Sequence, residues 1–119
     1  MMPTTLQEAI DELIKINIPP DEINSRWIRN EWGLWTGSLL AFWFFEKEIY
    51  HADDMSGIIV DSYRRTIGGQ PIDLESQIEV YHKHWEEIYG KSYKQKMLDD
   101  LSEEIKLVLK RDSKITTLL

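Results

Sequence analysis

The 119-residue chain contains no cysteine, which excludes disulfides and thiolate metal sites. Such a composition fits a reducing compartment, and a cytoplasmic protein is expected. Long apolar runs are also missing. The longest, Leu39–Phe45, has seven residues, whereas a membrane-spanning helix needs about 20. The opening Met1-Met2-Pro3-Thr4-Thr5 has no basic region leading into an apolar one, so no signal peptide is expected. Positive charge is scarce: 14 Lys and Arg stand against 21 Asp and Glu, for a net charge of −7. A body of that sign repels phosphate backbones, so nucleic acid is not the expected partner. No Gly-x-x-x-x-Gly-Lys occurs, and Gly68-Gly69 follows a helical pattern rather than a strand, which removes the phosphate-loop reading.

The length suits one domain of the usual size, about 100–150 residues, with enough chain to bury a core unaided. Neither a repeat nor a low-complexity linker divides residues 1–119. The charge is uneven. Residues 1–60 hold ten acids and four bases, a net −6, while residues 61–119 hold eleven and ten, a net −1. An acidic N-terminal half suits a basic protein partner, although acidity also simply maintains solubility.

Periodicity and punctuation predict an all-α bundle of five to six helices, with a motif-bearing core at about 26–85. The first helix covers about Leu6–Ile16: Thr5 and Glu8 form a capping-box pattern, Leu6, Ala9, Ile10, Leu13 and Ile14 make one stripe, and Pro19-Pro20 stops it. Asp21 and Glu22 suit a second helix start, with Ile23, Trp27 and Ile28 on one face. Gly33 and Gly37 bracket a bend. A third helix, roughly Ser38–Lys47, is apolar nearly all round and is expected to be the central one. Asp53 is the expected cap of a fourth helix, which Gly68-Gly69 ends. Asp73 is the expected cap of a fifth, whose stripe is Leu74, Ile78, Tyr81, Trp85 and Ile88. A sixth spans about 92–110, and the tail after Arg111 is expected to fray.

The unusual stretch is Arg26–Ile67, with four of the five tryptophans and four of the five arginines. His51, Asp53 and Asp54 are chemically able to bind a metal or move protons. They sit within one turn, however, and Asp53 has a capping role, so the structural reading is preferred and no metal or other cofactor is expected. His82 and His84, two apart on a helix, point in different directions and are expected to face solvent. Arg29, Arg64 and Arg65 either offset helix dipoles or fork onto Asp53 or Asp54; an internal Arg–Asp pair is preferred over an anion site. Trp43 and Trp85 are expected in the core. Trp32 and Trp35, beside Gly33, are expected to be partly exposed and available as partner anchors. No nucleophile–base arrangement declares itself.

Three strings carry a resemblance: Ile28-Arg29-Asn30-Glu31-Trp32-Gly33-Leu34-Trp35-Thr36-Gly37-Ser38-Leu39-Leu40, then His51-Ala52-Asp53-Asp54-Met55-Ser56-Gly57-Ile58-Ile59, then Tyr63-Arg64-Arg65, with Leu74-Glu75-x-Gln77 beyond. Over roughly residues 26–85 the chain resembles a family of small bacterial proteins of unknown function. That family's pattern reads Arg-Asn-x-Trp-Gly-Leu-Trp, His-Pro-Asp-Asp-Met-Ser and Tyr-x-Arg. Ala52 departs from it by replacing proline. The resemblance implies that Arg29, Trp32, Asp53, Asp54 and Arg64 belong to one constellation. It implies no activity.

Three readings follow. A protein-binding module of inhibitor or immunity type is favoured, using Arg29, Trp32, Trp35, His51, Asp53, Asp54 and Arg64. The alternative is a ligand- or metal-binding protein, or an enzyme, built on His51, Asp53, Asp54 and Arg64. A structural lock is the third; there Asp54→Ala costs about 3–5 kcal/mol if it breaks a buried ion pair.

Overall fold

The computed structural model describes residues 2–111, with side chains to Leu109; the expected fraying after Arg111 lies outside the described residues. Seven helices and no strand occur among them: α1 (Leu6–Ile16), α2 (Ser25–Glu31), α3 (Leu39–Phe45), α4 (Ala52–Ile67), α5 (Leu74–Tyr89), α6 (Tyr93–Asp99) and α7 (Glu103–Arg111). The all-α expectation holds, and the count exceeds it by one. The predicted helix at about 92–110 is two. The backbone leaves α6 at Asp100, and Ser102 Oγ accepts the Ile105 amide at 3.3 Å to start α7. The stripe Met97, Leu98, Leu101, Ile105 runs across this break and conceals it.

Local chemistry sets the other ends. Thr5 Oγ1 accepts the Glu8 amide, while the Glu8 carboxylate reaches back to the Thr4 amide and hydroxyl at 2.8 and 2.7 Å. The capping box is therefore offset by one residue, and the Thr4 hydrogen bonds hold the Glu8 carboxyl below its ordinary value. Asn17, left-handed at φ 62°, ends α1 before the prolines. Asn24, not Asp21 or Glu22, caps α2 through its side chain; residues Pro19–Glu22 form a turn instead. Ser38 Oγ caps α3 and also donates to the Trp32 carbonyl at 2.7 Å. It thereby closes the bend, where Gly33 has φ +62° and an added Cβ would stand 3.1 Å from Ser38 Cβ. Asp73 occupies the start of α5 as expected, but at φ 50° its side chain makes no cap bond.

The central helix is α4, not α3. Nine of its residues are buried, and α1, α2, α3 and α5 all pack on it. At seven residues α3 is too short for that role, and Leu39 is exposed. One buried cluster joins Ile10 and Leu13, Ile28, Phe44 and Phe45, Met55 and Ile59, Met97 and Leu98, and Ile105 and Leu109. Burial of this apolar area drives folding. By contrast α5 buries only Gln77 fully; its expected stripe Leu74, Ile78, Tyr81 and Trp85 is half-buried, and Ile88 is exposed. Gly57 permits the close approach of α5, since a Cβ there would lie 2.5 Å from the Tyr81 hydroxyl.

Candidate functional site

Polar residues gather at both ends of α4. At the N-terminal end His51 is the cap in place of Asp53: its Nδ1 accepts the Asp53 amide at 3.1 Å. That bond requires a lone pair on Nδ1, so the cap uses the tautomer protonated at Nε2. Asp53 faces solvent and meets Arg29 Nε at 3.3 Å, while Arg29 Nη1 donates to Ser56 Oγ at 3.2 Å. The Arg–Asp pairing expected from the sequence exists, but Asp53 is 58% exposed, so it is a surface pair rather than an internal one. Such a pair contributes about 0–1 kcal/mol.

Asp54 is the buried carboxylate, and its partner is not an arginine. Its Oδ2 accepts the Trp85 indole N–H at 2.7 Å, across 31 residues of sequence. Burial raises its carboxyl above the ordinary aspartate range; the indole bond and the neighbouring His51 oppose that shift.

Arg64 lies at the other end. Ten residues of helix separate it from Asp54, about 15 Å along the axis. Its Nε donates to the Pro20 carbonyl at 3.0 Å. Tyr63 Oη donates to the Ile18 carbonyl at 2.6 Å, and Arg65 Nη1 to the Ile72 carbonyl at 2.9 Å. Gln77 Nε2 joins the same carbonyl and Ser62 Oγ. Four side chains thus clamp the α1–α2 and α4–α5 loops. Arg64 does not share a cluster with His51 and Asp54.

The tryptophans also divide. Trp32 is buried, edge-on to Trp27, contrary to the expected partial exposure. It ends α2 and faces the core, while the positive-φ Gly33 turns the chain outward. Trp35 is 49% exposed, as expected. Trp43 and Trp85, expected in the core, are only half-buried; Trp43 carries the Lys47 ammonium 4.4 Å from its ring centre. His84 is exposed, but His82 is half-buried and shares a hydrogen bond with the Glu48 carbonyl.

Between these elements lies a cleft of about 470 Å³. Leu34, Phe45, Tyr50, Ala52, Met97 and Ile105 are its buried members, and Trp35, Tyr89, Asp100 and Ser102 its exposed ones. His51 stands at the centre of an aromatic row, edge-on to Trp35 at 5.4 Å and stacked on Trp85 at 6.0 Å. Trp85 in turn stacks on Tyr89 at 5.7 Å with the planes 9° apart. Burial raises the Tyr50 hydroxyl pKa strongly. Among the described residues no three His, Asp or Glu side chains are grouped to hold a metal ion.

Residues 23–67 match a family described as a domain of unknown function (DUF6794). The resemblance to an uncharacterised family is borne out over that stretch. No curated protein and no solved structure matches the chain. The DUF6794 segment supplies Trp35, His51, Asp53 and Asp54, together with the clamp residues Tyr63 and Arg64. It ends before Trp85, Tyr89 and Asp100, so the cleft is completed by residues beyond the matched segment. Sequence reasoning assigned no role to Tyr89 or Asp100, and gave Met97 only a place in an apolar helical stripe. The signal was available only as aromatic spacing: Tyr81, Trp85 and Tyr89 recur at four, a stripe that continues past the region α4 covers.

Proposed function

We propose that the protein is a protein-binding module of inhibitor or immunity type that masks a basic partner in a reducing, cytoplasmic setting in bacteria. The observation that carries this reading is the aromatic cleft at the N-terminal end of α4. It pairs exposed Trp35 and Tyr89 with the exposed Asp100 carboxylate, and the exposed Asp53 stands beside it at the start of α4. Exposed aromatic clusters anchor partners, and acidic surroundings steer basic ones. No described helix is long and apolar enough to cross a membrane, which agrees with a partner met in solution.

The test is capture of a partner from the native host by the tagged full-length chain, with Asp53→Lys/Asp100→Lys as control. A stoichiometric, basic partner retained by the native chain and lost from the control is the expected result. Retention of no protein, or equal retention by both chains, removes the reading. A second reading, a small-ligand protein, is favoured by one fact: the cleft volume of about 470 Å³ falls within the range of ligand pockets, about 300–1,000 Å³.

A further inference from the structure

We infer that the cleft is a cation cage, built to receive one arginine or lysine side chain from the partner. This deepens the protein-binding reading and rests on it. The aromatic faces carry negative potential that attracts a monocation. Trp35, Trp85 and Tyr89 supply such rings, and His51 connects Trp35 to Trp85 in one row.

Two features aim this row at a cation. First, the Trp85 N–H, the positive edge of the indole, is turned away and held by the Asp54 carboxylate at 2.7 Å. The bond fixes the ring in the row beside His51 and Tyr89, and the carboxylate behind it adds electron density. Second, Asp100 lines the mouth and is exposed, so its oxygens are placed to accept from a guanidinium or ammonium. Tyr89 already attracts a cation of the chain itself: Lys96 Nζ lies 5.8 Å from its ring centre. A planar guanidinium stacks on such rings better than an ammonium does, so arginine is the sharper probe.

The experiment is a titration of the intact protein, read by the indole N–H resonances of its tryptophans in two-dimensional NMR. The ligands are N-acetyl-arginine amide and its neutral isostere, N-acetyl-citrulline amide. The arginine derivative is expected to shift the Trp35 and Trp85 resonances saturably, and the citrulline derivative is not. Tyr89→Leu and Asp100→Asn should each weaken binding about two- to fivefold. Both residues are exposed, so the melting temperature of each variant should match that of the parent. Equal shifts from the two ligands, or silent Trp35 and Trp85, overturn the cage. Failure here leaves partner capture to stand on its own test. Conversely, a chain that binds arginine amide but retains no partner keeps the cage and loses the protein-binding reading.

Discussion

The two ends of α4 use the same residue types for opposite purposes. At the C-terminal end Tyr63, Arg64, Arg65 and Gln77 each donate to a backbone carbonyl or a buried hydroxyl. Each is tied to the fold by at least one such bond. At the N-terminal end His51, Asp53 and Asp54 also have partners, but the aromatic side chains beside them line a cleft. A dense motif therefore does not mark a site by itself. The ends differ in degree: Arg65 and Gln77, though tied to the loops, line a smaller cleft of about 260 Å³, where Gln77 Oε1 is buried without a hydrogen-bond partner, whereas the cleft at the N-terminal end is about 470 Å³ and lined by aromatic side chains.

The largest effect should come from the clamp. Tyr63→Ala empties a fully buried position and removes the tie to Ile18. It should cost about 3–5 kcal/mol, read by urea unfolding; a loss under 1 kcal/mol would mean that this end is not a structural lock.

Next comes the buried acid. Because Asp54 pairs with a neutral indole, the ion-pair premise behind a 3–5 kcal/mol loss does not apply. Asp54→Ala should cost about 1–3 kcal/mol, the penalty for an orphaned buried N–H. Asp54→Asn keeps an acceptor for Trp85 and should be as stable as the parent at neutral pH, or more so.

The same residue makes a pH prediction. Burial raises the Asp54 carboxyl above its ordinary value of 3.8. Just above that value the folded protein keeps a proton that the unfolded chain has released. This contribution therefore makes stability fall as pH rises from near 4 through the raised value. The parent minus Asp54→Asn difference, measured from pH 3 to 7, should show that decline. A flat difference, or one that rises with pH, would mean that the carboxylate is better solvated than its burial indicates.

A smaller effect is expected from Arg64→Gln. Loss of its exposed bond to the Pro20 carbonyl should cost about 0.5–1.5 kcal/mol and leave arginine-amide binding unchanged. Weakened binding in that variant would join the two ends into one site.

Much of the fold was legible locally. Thr5, the Gly33–Gly37 bend, the Gly68-Gly69 stop and the apolar stripes of α1 and α4 are short-range chemistry, and each stands close to where the sequence places it, except that Ile14 of the α1 stripe is exposed. The misses are tertiary. His51 rather than Asp53 caps α4 because an imidazole can accept two residues ahead as a carboxylate does three ahead. Trp85 is drawn from the expected core to Asp54 by a bond spanning 31 residues, which no periodicity reports. The cleft draws on the bend, the start of α4, the end of α5 and the α6–α7 junction, and nothing in one segment announces the other three. Arg64 and Asp54 were legible as a dense motif, but ten helical residues hold them apart.

The central claim is that partner binding belongs to the N-terminal end of α4 alone. It is tested most directly by calorimetric titration of the captured partner into the parent, the Tyr89→Leu/Asp100→Asn double variant and Arg64→Gln, with a thermal melt of each. The predicted result is binding weakened by about four- to twenty-fivefold in the double variant at unchanged melting temperature, and parental affinity in Arg64→Gln despite its lower melting temperature. Parental affinity in the double variant, or affinity that falls with melting temperature in both, would contradict the account.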